Sequence, residues 1–286
     1  MLKVPPGRCR RVAAMIPLDA WLPDGISVET LALLVVAAFA AGWVDAVVGG
    51  GGLIQLPALL LVPQLAPVQA LATNKLASIC GTATSSVTYY RRVKPDLRTA
   101  LPMAGLALLG SFAGAAVATV LPTAVFKPII VLALAAVAIF VAVRPRLGAA
   151  TSLRFEGRRH HFVAALLGIG IGFYDGMLGP GTGAFLVISL VSVVGYNFIA
   201  ASAKAKIVNF ATNLGALALF VPTGAVVWGL GLCLAVANVA GSYLGSRTAI
   251  AKGTGFVRVI FLCVSAALIL KLGWDVWVET VAPMLR

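Results

Sequence analysis

Two short stretches each place an acid beside a helix break. "GWVDAVVGGGG" at 42–52 sets Asp45 four residues ahead of Gly49, Gly50, Gly51 and Gly52. "GFYDGMLGPGTG" at 172–183 sets Asp175 four residues ahead of Gly179, Pro180, Gly181, Thr182 and Gly183. Each interior glycine forfeits roughly 1 kcal/mol of helix propensity relative to alanine. Pro180 removes a donor and crowds the preceding turn. A half-helix that restarts after such a break leads with free amide N–H groups, which suit an anion. The bland alternative is close helix packing of the GxxxG kind, which needs neither four glycines in a row nor Gly-Pro-Gly. Asp45 and Asp175 admit two roles. Each can accept hydrogen bonds from the loosened N–H groups, or each can carry a proton.

Lysines supply the opposite charge. Lys75, Ser78, Thr82, Ser85 and Tyr89 recur at steps of 3 and 4, one polar face of an apolar helix. Lys206, Asn209 and Asn213 lie 131 residues (206 − 75) after Lys75, Ser78 and Thr82. Asn74 and Lys204 flank the two lysines. Snorkelling of Lys75 and Lys206 to headgroups is an alternative, but it leaves the matching hydroxyl and amide stripes unexplained. Asn238 has no counterpart, because its match is Ala107.

The elements that must hold these residues are membrane helices. Of 286 residues, 60% are hydrophobic and 11% charged, against roughly 45–50% and 25% in soluble domains. About eight apolar segments lie at 27–62, 67–90, 99–121, 124–143, 161–194, 198–221, 223–246 and 256–274, each near or above the ~20 residues of a spanning helix. The first and fifth are too long for one straight span and contain the glycine breaks, so each is either a crossing helix broken mid-way or a helix plus a re-entrant half. Motif order repeats: "GSFAGAAVA" at 110 is answered by "GSYLGSRTA" at 241, and both read as packing motifs. The expected fold is therefore an all-α polytopic membrane protein of about eight transmembrane helices in two homologous four-segment repeats. The expected parts are an arm at 1–26 (Met15 being an alternative start), a first repeat at 27–143, a basic linker at 144–160, a second repeat at 161–274 and a tail at 275–286.

The formal charge of +13 fits basic loops beside anionic lipid. Without basic runs interleaved with aromatics, nucleic acid is not expected as a partner. Clusters at Lys3–Arg11, Arg91–Arg98, Arg144–Arg159 and Arg247–Arg258 set the topology. Eight simple crossings put the first three on the cytoplasmic side, N-terminus included, and leave the last outside. Whether the repeats run parallel or inverted stays open. Four scattered cysteines and the single pair His160–His161 give no metal site. Beside Arg158 and Arg159, that pair reads as a solvated loop. No nucleotide-binding motif, cofactor or catalytic constellation is expected, and the chain is not expected to be an enzyme.

The two G-x-x-D-x-x-x-G-x-G copies, the lysine helices including "ALATNKLAS" at 70–78, and the two "GS-aromatic-x-G" helices resemble the TauE/SafE family of sulfite exporters. The resemblance spans about 34 to 274. It implies a bacterial cytoplasmic-membrane permease for small sulfur-containing anions such as sulfite, thiosulfate or short organosulfonates. The second copy departs from the first at Pro180 and Thr182, and has "ASAKAKIVN" where the first has "ATNKLASIC", so the half-sites need not be equivalent. The expectation is a secondary transporter working by alternating access, with proton coupling through Asp45 or Asp175 as one option. A passive anion channel is the alternative. Its partners are the anion and the lipid bilayer, with assembly into a homo-oligomer left open. The expected anion-binding set is Gly49–Gly52, Asn74, Lys75, Ser78, Thr82, Gly179, Gly181, Thr182, Gly183, Lys206, Asn209 and Asn213.

Overall fold

The computed structural model describes residues 26–120 and 150–276. Every element among them is helical: α1 (Val28–Val48), α2 (Gly52–Leu60), α3 (Pro67–Val93), α4 (Leu97–Ala118), α5 (Gly157–Met177), α6 (Thr182–Ser189, running on as a π-helical turn Leu190–Val194), α7 (Phe198–Phe220) and α8 (Trp228–Val276). The arm, the 124–143 segment, the first residues of the linker and most of the tail lie outside the described residues.

Local chemistry sets the ends. Ser27 caps α1 by accepting the Thr30 amide at 3.2 Å, and Asn197 caps α7 by accepting the Ala200 amide at 2.8 Å. Pro67 opens α3 with its φ preset and no amide to satisfy. Asp96 caps α4, accepting the Arg98 amide at 2.9 Å and the Thr99 hydroxyl at 2.6 Å. Three helices, α1, α4 and the Trp228–Ile260 part of α8, are long and apolar enough to cross a membrane. Large apolar side chains such as Val36, Leu109, Leu166 and Val236 are exposed on the outside of the bundle, as lipid-facing helices require. The seventh and eighth segments expected from the sequence meet at Gly253, whose φ 75° and ψ −170° are not helical, so the stretch labelled α8 is two helices joined at a kink.

The broken segments are hairpins. The Ser152 amide, just ahead of α5, donates to the Gly195 carbonyl at 2.8 Å, and the Arg154 amide to the Val194 carbonyl at 3.1 Å. The π-helical end of α6 therefore returns to the start of α5. A single crossing would separate those points by roughly 30 Å, so the expectation of eight simple crossings gives way here. The first pair behaves alike. The Asn238 side-chain amide reaches both the Ala38 carbonyl of α1 (3.3 Å) and Gln55 Oε1 of α2 (2.8 Å). Leu56 and Leu59 join one apolar cluster with Leu34 and Ala38. α2 thus runs back alongside α1.

The hairpins enter from opposite ends of the bundle. Leu65, Ala70 and Leu71, at the start of α3, share the cluster at the open end of α1–α2. Tyr89, near the end of α3, packs with Ala164, Val194 and Tyr196 around the open end of α5–α6. Small residues let these helices touch backbone to backbone. A Cβ on Gly110 or Gly114 of α4 would lie 2.3 or 2.0 Å from the Ile169 or Phe173 carbonyl of α5. On Gly241 or Gly245 of α8 it would lie 2.0 or 2.4 Å from the Phe39 or Trp43 carbonyl of α1. The "GSFAG" and "GSYLG" stretches are thus packing surfaces.

The histidines are not in a solvated loop. His160 sits buried in the first turn of α5. Its Nε2 lies 3.0 Å from the Tyr196 hydroxyl and 3.2 Å from Thr99 Oγ1. Lys204 donates to the Asp96 carbonyl at 2.9 Å and stands 4.7 Å over the Tyr196 ring. Sequence reasoning missed this knot because its members are scattered over 108 positions. Burial opposes ionisation of Asp96. The Thr99 hydroxyl, the Arg98 amide and the Lys204 ammonium outweigh it and hold the carboxyl below its ordinary value. A depressed carboxylate contributes stability at neutral pH that is lost as pH falls through its folded value. Asp96→Ala should therefore cost about 1 kcal/mol near pH 7, typical of a lost N-cap. Thermal unfolding in detergent against pH should show the two proteins converging below 3.8, the ordinary Asp value.

Candidate anion site where two helix breaks meet

The tips of the two hairpins touch. α1 ends when Gly49 takes φ 87°, its amide donating back to the Asp45 carbonyl at 2.7 Å. α5 ends at Met177, and Gly179 and Gly181 take φ 86° and 81° before α6 begins. Tyr174 Oη donates to the Pro180 carbonyl at 2.7 Å, and Thr182 Oγ1 to the Gly179 carbonyl at 2.8 Å. The Ala184 amide donates across to the Gly49 carbonyl at 2.9 Å. That contact uses one of the half-helix amides expected to face an anion.

Two ion pairs cross between the halves. Lys75 of α3 meets Asp175 of α5, Nζ to Oδ1 2.7 Å. Lys206 of α7 meets Asp45 of α1, Nζ to Oδ2 2.9 Å, and also donates to the Asp45 backbone carbonyl. Lys75, Lys206 and Asp175 are buried, while the Asp45 side chain is 13% exposed. Neither lysine snorkels. The spacing that put each lysine on a polar face was legible, but the exchange of partners was not. A sequence offset does not say which acid a lysine meets.

A small pocket of about 20 Å³ opens at this junction. Asp45, Gly49, Gly52, Asn74, Lys75, Ser78, Asp175, Gly179, Gly181, Thr182, Gly183, Asn209 and Asn213 line it. The other expected residues stand behind. Gly51 faces α1, where a Cβ would lie 2.5 Å from the Ala41 carbonyl. Gly50 belongs to the same turn and accepts the Leu53 amide at 3.1 Å. Thr82 turns its hydroxyl onto the Ser78 carbonyl at 2.8 Å. Lys206 is covered by Asp45. Ser85 bonds to the Thr82 carbonyl, and Tyr89 Oη braces the Ala46 carbonyl at 3.0 Å beside Asp45. Asn213 donates to the Asn209 carbonyl at 2.8 Å. Two buried acceptors of the pocket-lining residues, Asp175 Oδ2 and Asn74 Oδ1, have no partner among the described residues.

The supporting shell differs between halves. Gln55, in the first half-helix, is held by Asn238, and the Ser242 hydroxyl donates to the Gly42 carbonyl at 3.2 Å. In the second, Phe185 packs edge-on to Tyr174 at 5.0 Å. Gln55 went unnoticed in the sequence, although a glutamine inside an apolar nine-residue helix was a usable signal.

No solved structure matches the chain significantly. The "Sulfite exporter TauE/SafE" family profile matches residues 34–272. A "Probable membrane transporter protein ORF9" of Sinorhizobium sp is 38% identical over 248 residues, covering 86% of this chain and 94% of that protein. A "Probable membrane transporter protein" of Haemophilus influenzae is 32% identical over 254 residues, 87% and 97% of the two chains. The "Probable membrane transporter protein YfcA" of Escherichia coli K12 is 32% identical over 251 residues, 87% and 92%. On this match across its length, and with helices apolar enough to cross a bilayer, the chain belongs to the TauE/SafE family of membrane transporters.

Proposed function

We propose that the protein is a secondary transporter of a small sulfur-containing oxyanion, such as sulfite, thiosulfate or a short organosulfonate. Its site is the pocket between the two hairpin tips. The observation that carries this reading is the pair of crossed lysine–aspartate bridges at two glycine breaks. A lysine buried in hydrocarbon is costly and marks a pathway, and broken backbone at membrane depth is tolerated where it lines a cavity. Transporters built on repeats place substrates at such junctions. Lys75, Ser78, Asn74, Asn209, Asn213 and Thr182 supply cation and polar groups around the pocket. The contact of Gly49 with Ala184 closes the tips against each other, which favours alternating access over an open pore.

The same geometry supports two repeats of inverted sense, each opening with a re-entrant hairpin. The basic residues 91–98, 154–159 and 247–258 then gather at the open end of α5–α6, which we assign to the cytoplasm of a bacterial cell. That removes the charge violation left by eight crossings. It also places the start of α1 on the opposite side, in exchange for the cytoplasmic start that the N-terminal arginines suggested.

A thermal-shift screen of purified protein against sulfite, thiosulfate, sulfate and organosulfonates should find a stabilising anion. Proteoliposomes should then exchange that anion, labelled outside for unlabelled inside. With the membrane potential clamped, unlabelled anion inside should accelerate entry of the label, which a passive channel does not show; absence of both exchange and stabilisation with every one of these anions refutes the proposal. Lys75→Gln should weaken the anion's Kd roughly 10- to 100-fold, the worth of a charge-assisted hydrogen bond. Titration of the thermal shift measures it.

A further inference from the structure

We propose that Asp175, not Asp45, carries a proton with each transported anion, one per cycle. The inference rests on the anion reading above and assigns different work to two acids that the sequence presents as equivalents.

The two ion pairs are built differently. Lys206 holds both the carboxylate and the backbone carbonyl of Asp45, and Tyr89 Oη braces the next carbonyl, that of Ala46. Asp45 is therefore tied into the last turn of α1, just before the break. Asp175 is held by Lys75 through Oδ1 alone. Its Oδ2 is buried and has no donor. An ionised carboxylate oxygen left without a donor in a low-dielectric site is costly. A proton on Oδ2 removes that cost and turns the oxygen into a donor. Asn74 Oδ1, a second buried acceptor without a partner, lines the same pocket.

The charges around Asp175 are few. Lys75 faces it from α3, and Asp45 lines the same pocket from α1 with Lys206 of α7 behind it. Tyr174 precedes it on α5 but spends its hydroxyl on Pro180. α2 and α6 contain no titratable side chain, and the one in α4, Arg98, lies in its first turn. With both pairs closed, the formal charge of the four groups is zero, and an entering anion meets lysines already neutralised. Protonating Asp175 frees Lys75 for the anion. Anion and proton then bind together, because each removes the other's obstacle: the proton unlocks the cation, and the anion replaces the lost carboxylate charge. Asp45 stays ionised and keeps the break in shape.

The test uses labelled thiosulfate, whose charge does not change near neutral pH, so every proton counted belongs to the protein. In proteoliposomes of the wild-type protein, an acid-outside gradient should drive accumulation at least about 10-fold above the level without it. In Asp175→Asn the ratio of accumulation with the gradient to that without it should fall to about one, at whatever exchange rate the variant retains. Asp175→Glu should restore the ratio. In Asp45→Asn the ratio should stay at the wild-type value. In detergent, calorimetry in buffers of different ionisation heat should show about one proton taken up per anion by the wild type and none by Asp175→Asn, a readout independent of reconstitution. Accumulation by Asp175→Asn, or loss of the gradient response with exchange intact in Asp45→Asn alone, overturns the assignment. If the wild type neither binds nor exchanges thiosulfate or the other anions, the anion reading fails and takes this one with it.

Discussion

Gly49→Ala should leave the protein without an assembled site. Gly49 sits at φ 87°, where a side chain costs roughly 1–3 kcal/mol. The added Cβ would lie 2.1 Å from the Gly183 carbonyl carbon and 2.4 Å from the Ala184 nitrogen. Those atoms are backbone and cannot swing aside, so the hairpin tips must part and the Ala184–Gly49 hydrogen bond breaks with them. Strain and overpacking together should cost about 3 kcal/mol or more. Gly183→Ala attacks the contact from the other side, its Cβ 2.5 Å from Gly49 Cα, and should behave alike. Gly105 is the control. It is exposed within α4, with nothing within 4 Å of its would-be Cβ. Alanine there should be neutral or stabilise by about 0.5–1 kcal/mol. Detergent unfolding of the three variants, with anion-induced thermal shift as the second readout, separates the cases. A Gly49→Ala protein of wild-type stability that still binds anion would show that the tips do not need to touch.

The breaks themselves were legible because they violate two rules at once: an acid and a run of glycines do not belong in a straight apolar span. The lysine faces were legible by helical period. Hydropathy, however, measures how long an apolar segment is and not which way it runs. It left 27–62 and 161–194 open between a broken crossing and a re-entrant half, where α1–α2 and α5–α6 turn back. It did separate the two helices that meet at the non-helical Gly253. Pairing was illegible for another reason. Lys75 could have met Asp45 within its own half at the same sequence cost as Asp175, and only opposed hairpins decide between them. His160 shows the converse failure. Flanking arginines suggested water, but one turn of helix carries Arg158 and Arg159 away from the face that buries His160 against Thr99 and Tyr196.

Lys206→Met should destabilise the protein more than Lys206→Met combined with Asp45→Asn. Removing the lysine alone leaves the Asp45 carboxylate without its cation at the end of α1, where the backbone carbonyl keeps the Gly49 amide. Breaking one side of a buried pair typically costs about 3–5 kcal/mol, whereas replacing both partners is often close to neutral. The double variant should recover most of the loss. It should not recover all, because the Asp45 carbonyl loses its second donor and keeps only the Gly49 amide, and a lost hydrogen bond costs about 0.5–1.5 kcal/mol. The parallel cycle at Lys75 and Asp175 gives the sharper comparison. If Asp175 is the acid that accepts a proton, it can discharge itself once Lys75 is gone. Lys75→Met should then cost less than Lys206→Met, and its cost should shrink as pH is lowered, while that of Lys206→Met changes less. Chemical unfolding of both cycles in one detergent at two pH values measures this. Equal, pH-independent penalties at the two lysines would mean that the halves use their acids alike, and that the exchange of partners across the junction only holds the hairpin tips together.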